Sequence, residues 1–182
     1  PYDGEREKRI VAVNRLSQQK NIFMLLRAMK RVFDVFPEYI LEIYGKGEQQ
    51  EELEKYSKEL KISDNVKFMG QKANVQKYIV NASVFVSSSD FEGMSNSMLE
   101  AMAIGLPVVC TDCPIGGART VIKNNINGIL TPVGNDRVFA DEIIGLLNNP
   151  EKAKRLGKQA SELREQLNVK KIAKEWEKLL ED

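Results

Sequence analysis

Histidine is absent from the 182 residues, and that single gap removes much chemistry. Without imidazole, serine–histidine and cysteine–histidine nucleophile pairs are excluded, and a step that needs a histidine must take it from another polypeptide segment. Cysteine is scarce as well: Cys110 and Cys113 are the two, so four thiolate or imidazole zinc ligands cannot be gathered. Their C-x-x-C spacing leaves a redox pair or half a metal site open. The plainer reading is a pair of packing thiols, because Cys110 ends the apolar run "GLPVVC" as a buried strand residue would. An excess of one charge is also missing. Lysine and arginine number 27 against 26 acids, a net charge of +1, so no global field recruits nucleic acid or an anionic membrane. Attraction for anions has to be local. No apolar run approaches the roughly 20 residues of a membrane-crossing helix, and no G-x-x-x-x-G-K-[ST] phosphate loop occurs.

What is present is an alternation of short apolar runs and helical patterns. "RIVAVN" (9–14) predicts a buried strand. The segment 21–36 has Ile22, Leu25, Leu26, Met29 and Val32 at helical spacing behind Asn21, a natural N-cap. "YILEIYG" (39–45) predicts the next strand and "EQQEELEKYSKEL" a charged helix. "NVKFMG" (65–70), "SVFVSS" (83–88), "PVVCT" (107–111) and "GILTP" (128–132) complete six strands. Between them lie a short helix in "NVQKYIVNA", a helix over about 95–104 and a short one near "GARTVIK", and two or three helices close the chain. Near-continuous apolar strands alternating with helices predict an α/β, Rossmann-like, doubly wound parallel sheet with helices on both faces. One domain over residues 1–182 is expected. "NNP" (148–150) breaks the closing helices, and 169–182 predicts a terminal helix with Ile172, Trp176 and Leu179 on one face. The opening "PYDGE" has neither an initiator methionine nor a signal-like apolar run, which is read as a cytoplasmic piece of a longer chain.

In open parallel sheets ligands collect beyond the carboxyl ends of the strands, which marks the loops after residues 14, 44, 70, 88 and 111. The first, "NRLSQQKN", sets Arg15 and Lys20 beside a helix start, where free amides and the helix dipole favour phosphate oxygens; surface cations at loop ends are, on their own, more often simply solvated. The second, "GKGEQQ" (45–50), resembles G-x-G-x-x-G but has Gln50 in place of the third glycine, and it follows the second strand. Its glycines are read as serving a tight turn or the approach of a ligand to the backbone.

The richest stretch is "SSSDFEGMSNSMLEAMAIGLPVV" (87–109). With Ser95 as cap, the amides of residues 96–98 are expected to be free for an anion, and Gly93 to let the loop adopt conformations that other residues resist. Leu99, Met102, Ala103 and Leu106 are expected to face the sheet, with Glu100 on the side of Asn96 and Ser97. A carboxylate is repelled by phosphate but accepts both hydrogens of a vicinal diol. Two acids, Glu92 and Glu100, flanking an anion-binding helix start therefore suggest a sugar at each end of a diphosphate, that is, a nucleotide sugar. Taken singly, Glu100 would pass for a solvated helix residue and Glu92 for a loop acid.

At this point the sequence resembles the C-terminal, donor-binding domain of retaining GT-B glycosyltransferases of the GT4 type. The resemblance rests on "VAVNRLSQQKN", "LEIYGKGEQQEELE", "VKFMG", "EGMSNSMLE", "EAMAIGLPVVCTDCPIGGART" and "NGILTPVGN", in the family's order across nearly the whole chain. "TDCPIGGAR" is similar to the subgroup that builds bacterial capsular, exopolysaccharide or lipid-linked oligosaccharide chains. The resemblance implies that Arg15 and Lys20 hold the donor diphosphate and stabilise the leaving group. It implies that Glu92, with the backbone of Gly93, Met94 and Ser95, holds the transferred sugar and pyrophosphate, that Asn96 belongs to the donor-binding site, that Glu100 binds the ribose, and that Gln71 and Lys72 bracket the base. It further implies transfer from a UDP-sugar to a hydroxyl with retention, with no cofactor and no metal. The N-terminal acceptor domain that supplies the family's histidine is missing, so this half is expected to bind donor without turning over. Its terminal helix is expected to cross to that domain, and the full-length protein is expected in the cytoplasm, with association at the inner membrane surface a further expectation. The chain departs from the family at Asn14 and Asn21, where glycine is common, and at Arg119, where many relatives carry an acid; these are expected to touch donor choice rather than fold. A stand-alone nucleotide- or phosphate-binding module is the alternative. A dinucleotide-dependent oxidoreductase is disfavoured by the lack of G-x-G-x-x-G after the first strand.

Overall fold

The computed structural model describes Tyr2, residues 4–168, and Lys171, Ala173, Trp176 and Glu177. Glu7–Val13 forms β1, Ile40–Tyr44 β2, Val66–Gly70 β3, Ala82–Ser87 β4, Val108–Thr111 β5 and Ile129–Thr131 β6. These strands make one sheet in the order β3-β2-β1-β4-β5-β6, and every strand pair is parallel. The doubly wound α/β reading is borne out.

Side chains alternate across the sheet as the period of two demands. Ile10 and Ala12 of β1 join Ile43, Val84 and Val86 in one core, beneath α1 (Ile22–Val35) and α6 (Asp136–Leu147). Val11 joins Phe85 and Val108 in the other, beneath α4 (Asn96–Ala103) and α7 (Pro150–Ser161). Both faces are thus covered. This explains why the strands read as unbroken apolar runs rather than alternating ones. The remaining helices are α2 (Gln50–Glu59), α3 (Gln76–Ile79), α5 (Gly117–Val121) and α8 (Leu163–Gln166).

Capping follows the sequence. The Asn21 side chain accepts from the Met24 amide at the start of α1. Asn149 caps α7, with Pro150 in its first turn, where a missing N–H costs nothing. The phase of α4 differs from expectation. Met98, Ala101 and Met102 are the buried residues, while Leu99 and Ala103 are partly exposed. The glycines of "GKGEQQ" also have a different use. A Cβ on Gly45 would lie 1.8 Å from the Asn14 carbonyl oxygen, and one on Gly47 2.1 Å from that of Leu16. They let protein backbone, not a ligand, come close, and the Leu16 amide bonds the Lys46 carbonyl at 2.9 Å. The expected terminal helix over 169–182 falls largely outside the described residues; Trp176, within it, is exposed.

Candidate functional site

The strand order reverses between β1 and β4, where the crevice of a doubly wound sheet opens. The loops leaving those two strands carry Arg15 and Lys20 on one side and residues 88–95 on the other. Lys20 ends a short 3-10 turn, Gln18–Lys20, and its ammonium forms an ion pair with Glu92. Both side chains are mostly buried, 15% and 21% exposed. Arg15 is exposed, and its guanidinium has no hydrogen-bond or ion-pair partner among the described residues.

At the start of α4 the Ser95 hydroxyl accepts from the Met98 amide at 3.4 Å and lies 3.1 Å from the Ser97 hydroxyl. The cap therefore takes one of the three amides expected to be free, and leaves those of Asn96 and Ser97. Gly93 does not need a left-handed backbone, since it is not among the positive-φ glycines. The tight approach belongs to Gly117 instead: a Cβ there would fall 1.8 Å from the Gly93 carbonyl oxygen. Around Gly93 itself a Cβ would meet nothing within 4 Å, so the peptide is accessible from the crevice. Glu100 is half-buried on α4, and its carboxylate has no partner among the described residues. Met94 and Asn96 are exposed at the rim.

Two cavities divide the remaining candidates. One of about 440 Å³ is lined by Arg15, Gln71 and Lys72 together with Asn14, Tyr44 and Lys46. Glu92, Gly93 and Ser95 line the other, smaller space with Ser89, Thr111 and Cys113. Lys20, Met94, Asn96 and Glu100 line neither. Ser89 escaped sequence reasoning as a site residue, and Asn14 entered it only as a departure expected to touch donor choice, yet Asn14 Oδ1 and Ser89 Oγ are buried oxygens without a hydrogen-bond partner among the described residues. Only the three-dimensional packing reveals that. Gly117 could have been suspected from the double glycine in "PIGGAR".

Burial, then Cys113, pushes the Cys110 thiol up, and burial does the same for Cys113. Both are free and buried, as packing thiols are. Tyr44 is pushed up to about 12 by burial and by its hydrogen bond to Glu42. Arg119 donates to Asp112 at 2.7 Å, so this cation has a local partner. No group of three or more Asp, Glu or Cys able to hold a metal ion occurs among the described residues, and no described helix is long and apolar enough to cross a membrane.

Residues 3–163 match the family "Glycosyl transferases group 1". The chain belongs to that family. This glycosyltransferase domain is 31% identical over 175 residues to N-acetylgalactosamine-N,N'-diacetylbacillosaminyl-diphospho-undecaprenol 4-alpha-N-acetylgalactosaminyltransferase of Campylobacter jejuni, covering 96% of the chain and 47% of that protein. It is 30% identical to an uncharacterized glycosyltransferase of Haemophilus influenzae, over 95% of the chain and 49% of the relative. Among solved structures, S. aureus TarM in complex with Fondaparinux, alpha-GlcNAc-glycerol and UDP superposes with a TM-score of 0.90 at 29% identity, over 100% of this chain and 37% of that one. The glycosyltransferase domain spans about half the length, or less, of these relatives.

Proposed function

We propose that this chain is the donor-binding half of a retaining, metal-independent glycosyltransferase that passes a glycosyl group from a UDP-sugar to a saccharide or lipid-linked acceptor. In this reading Arg15, Lys20 and the free amides of α4 meet the diphosphate, so that charge developing on the departing nucleotide is stabilised by fixed donors. Glu100 accepts from the ribose hydroxyls. Glu92, with Gly93, Met94, Ser95 and Asn96, holds the transferred sugar and the neighbouring phosphate. Gln71 and Lys72 bracket the base in the larger cavity. The acceptor, and the histidine this chain lacks, come from a partner domain, in keeping with relatives about twice as long. Relatives named for teichoic-acid-type polymers, such as a Poly(glycerol-phosphate) alpha-glucosyltransferase of Bacillus subtilis, support a role in bacterial surface-polysaccharide synthesis, including capsule. A cytoplasmic location, with contact to the inner membrane face through the full-length protein, fits that role.

The observation that carries the reading is the Lys20–Glu92 pair, which joins the loops after β1 and β4 at the switch point; Arg15, on the first loop, has no partner among the described residues, and the second loop leads to the free amides of α4. Calorimetry tests it. UDP is expected to bind, and Glu100→Ala to weaken it by about tenfold, as the loss of a hydrogen-bonded charge does. Arg15→Ala is expected to weaken UDP but not uridine. Equal losses on both ligands would remove Arg15 from the phosphate.

A further inference from the structure

The pieces of the site lie on two loops far apart in sequence, and hydrogen bonds run directly between those loops. Five contacts tie residues 19–21 to residues 88–92: Ser88 Oγ donates to the Lys20 carbonyl at 2.8 Å, the Asp90 amide to the Gln19 carbonyl at 2.9 Å, Gln19 Nε2 to the Phe91 carbonyl at 2.9 Å, Asn21 Nδ2 to Asp90 Oδ1 at 2.7 Å, and Lys20 pairs with Glu92. One residue stands at the centre. Asn21 has φ 43° and ψ 51°, a left-handed conformation that asparagine tolerates better than most residues. Its Oδ1 accepts from the Met24 amide at 3.1 Å, while its Nδ2 donates to Asp90. A glycine would adopt the same backbone angles but supply neither bond. Asn21 directly follows Lys20, and Asp90 precedes Glu92 by two residues.

We propose that Asn21 and Asp90 form a positioning pair that fixes the loop bearing Glu92 against the turn bearing Lys20 and thereby sets the grip of the site on pyrophosphate. The inference rests on the nucleotide-sugar reading. Neither residue need touch the ligand. Asp90 carries a negative charge close to a phosphate site, so through-space electrostatics alone would make its removal favour an anion. Positioning makes the opposite prediction, because without the bond the loop samples other arrangements and the ligand must reorder it.

The test uses the 182-residue chain with UDP and uridine as calorimetric probes, and amide hydrogen exchange at Asp90 as a second measurement. Asn21→Gly and Asp90→Ala are expected to weaken UDP about tenfold, the scale of one charge-assisted hydrogen bond, and uridine less than about twofold. Asn21→Asp sets two carboxylates against each other and is expected to do the same. The exchanged pair, Asn21→Asp with Asp90→Asn, keeps the net charge, keeps an oxygen for the Met24 amide and reverses the bond to the partner. It is expected to restore both UDP affinity and slow exchange of the Asp90 amide. Tighter UDP binding by Asp90→Ala, equal losses on UDP and uridine, or an exchanged pair no better than Asn21→Asp would each overturn the proposal. If the unaltered chain binds no UDP, the nucleotide reading falls and the claim about grip falls with it. Amide exchange in the variants, which needs no ligand, would then still show whether the two side chains pin the loop.

Discussion

In the proposed reading, Lys20 is the residue whose partner decides how a diphosphate is received. Its charge is met by Glu92, so part of the positive potential implied by two cations is compensated within the protein. Glu92→Gln keeps an acceptor for Lys20 but removes the opposing charge. It is expected to tighten UDP by roughly two- to fivefold, the worth of a partly exposed ion pair, while a UDP-sugar gains less because Glu92 is also proposed to hold sugar hydroxyls. Titration calorimetry with both ligands measures this, and an unchanged or weaker UDP constant would contradict it. Sequence reasoning identified both residues by their chemistry. It could not pair them, because they are 72 positions apart and nothing local records such a contact. For the same reason the orphan oxygens of Asn14 and Ser89 were out of reach.

At the scale of elements, legibility followed locality. Strand and helix positions were readable because burial imposes periods of 2 and 3.6, and the caps at Asn21 and Ser95 because they act within three residues. The phase of α4 was not. Met98, Leu99, Ala101 and Met102 make a broad apolar stripe, and only the neighbours β4, β5 and α7 select which part is buried. The close approach of α5 to the loop after β4 was hinted at by the double glycine of "PIGGAR", but its partner, the Gly93 carbonyl, was not. Gly117→Ala is expected to lower stability by about 1–3 kcal/mol, the usual range for overpacking, and to weaken UDP as well, because the clash falls on the Gly93 carbonyl. Asn149→Ala removes the α7 cap and is expected to cost about 1 kcal/mol with UDP affinity unchanged. Thermal melts combined with calorimetry distinguish the two. If Gly117→Ala loses stability alone, α5 does not support the site.

For the whole molecule, one buried phenol is expected to contribute to stability that is lost at alkaline pH. Tyr44 is 2% exposed, its hydroxyl donates to Glu42 at 2.8 Å, and its pKa is pushed up from 10.0 to about 12. The folded state holds this proton more tightly than the unfolded chain. The contribution is therefore fully present below pH 10 and is lost as pH rises from 10 toward about 12. Denaturant midpoints measured across that window are expected to fall, and Tyr44→Phe to flatten the fall; an equally steep decline in the variant would show that other groups are responsible. The arrangement of β1 beside β4 has a consequence for dissection of the chain. A peptide ending before β4 would retain Arg15, Lys20 and the cavity lined by Gln71 and Lys72 yet lack Glu92, Glu100 and the start of α4, and one starting after α1 would keep the acids without Arg15 and Lys20. In the proposed reading, ligand recognition is therefore not divisible along the sequence, and a bound nucleotide would report that both distant stretches have come together.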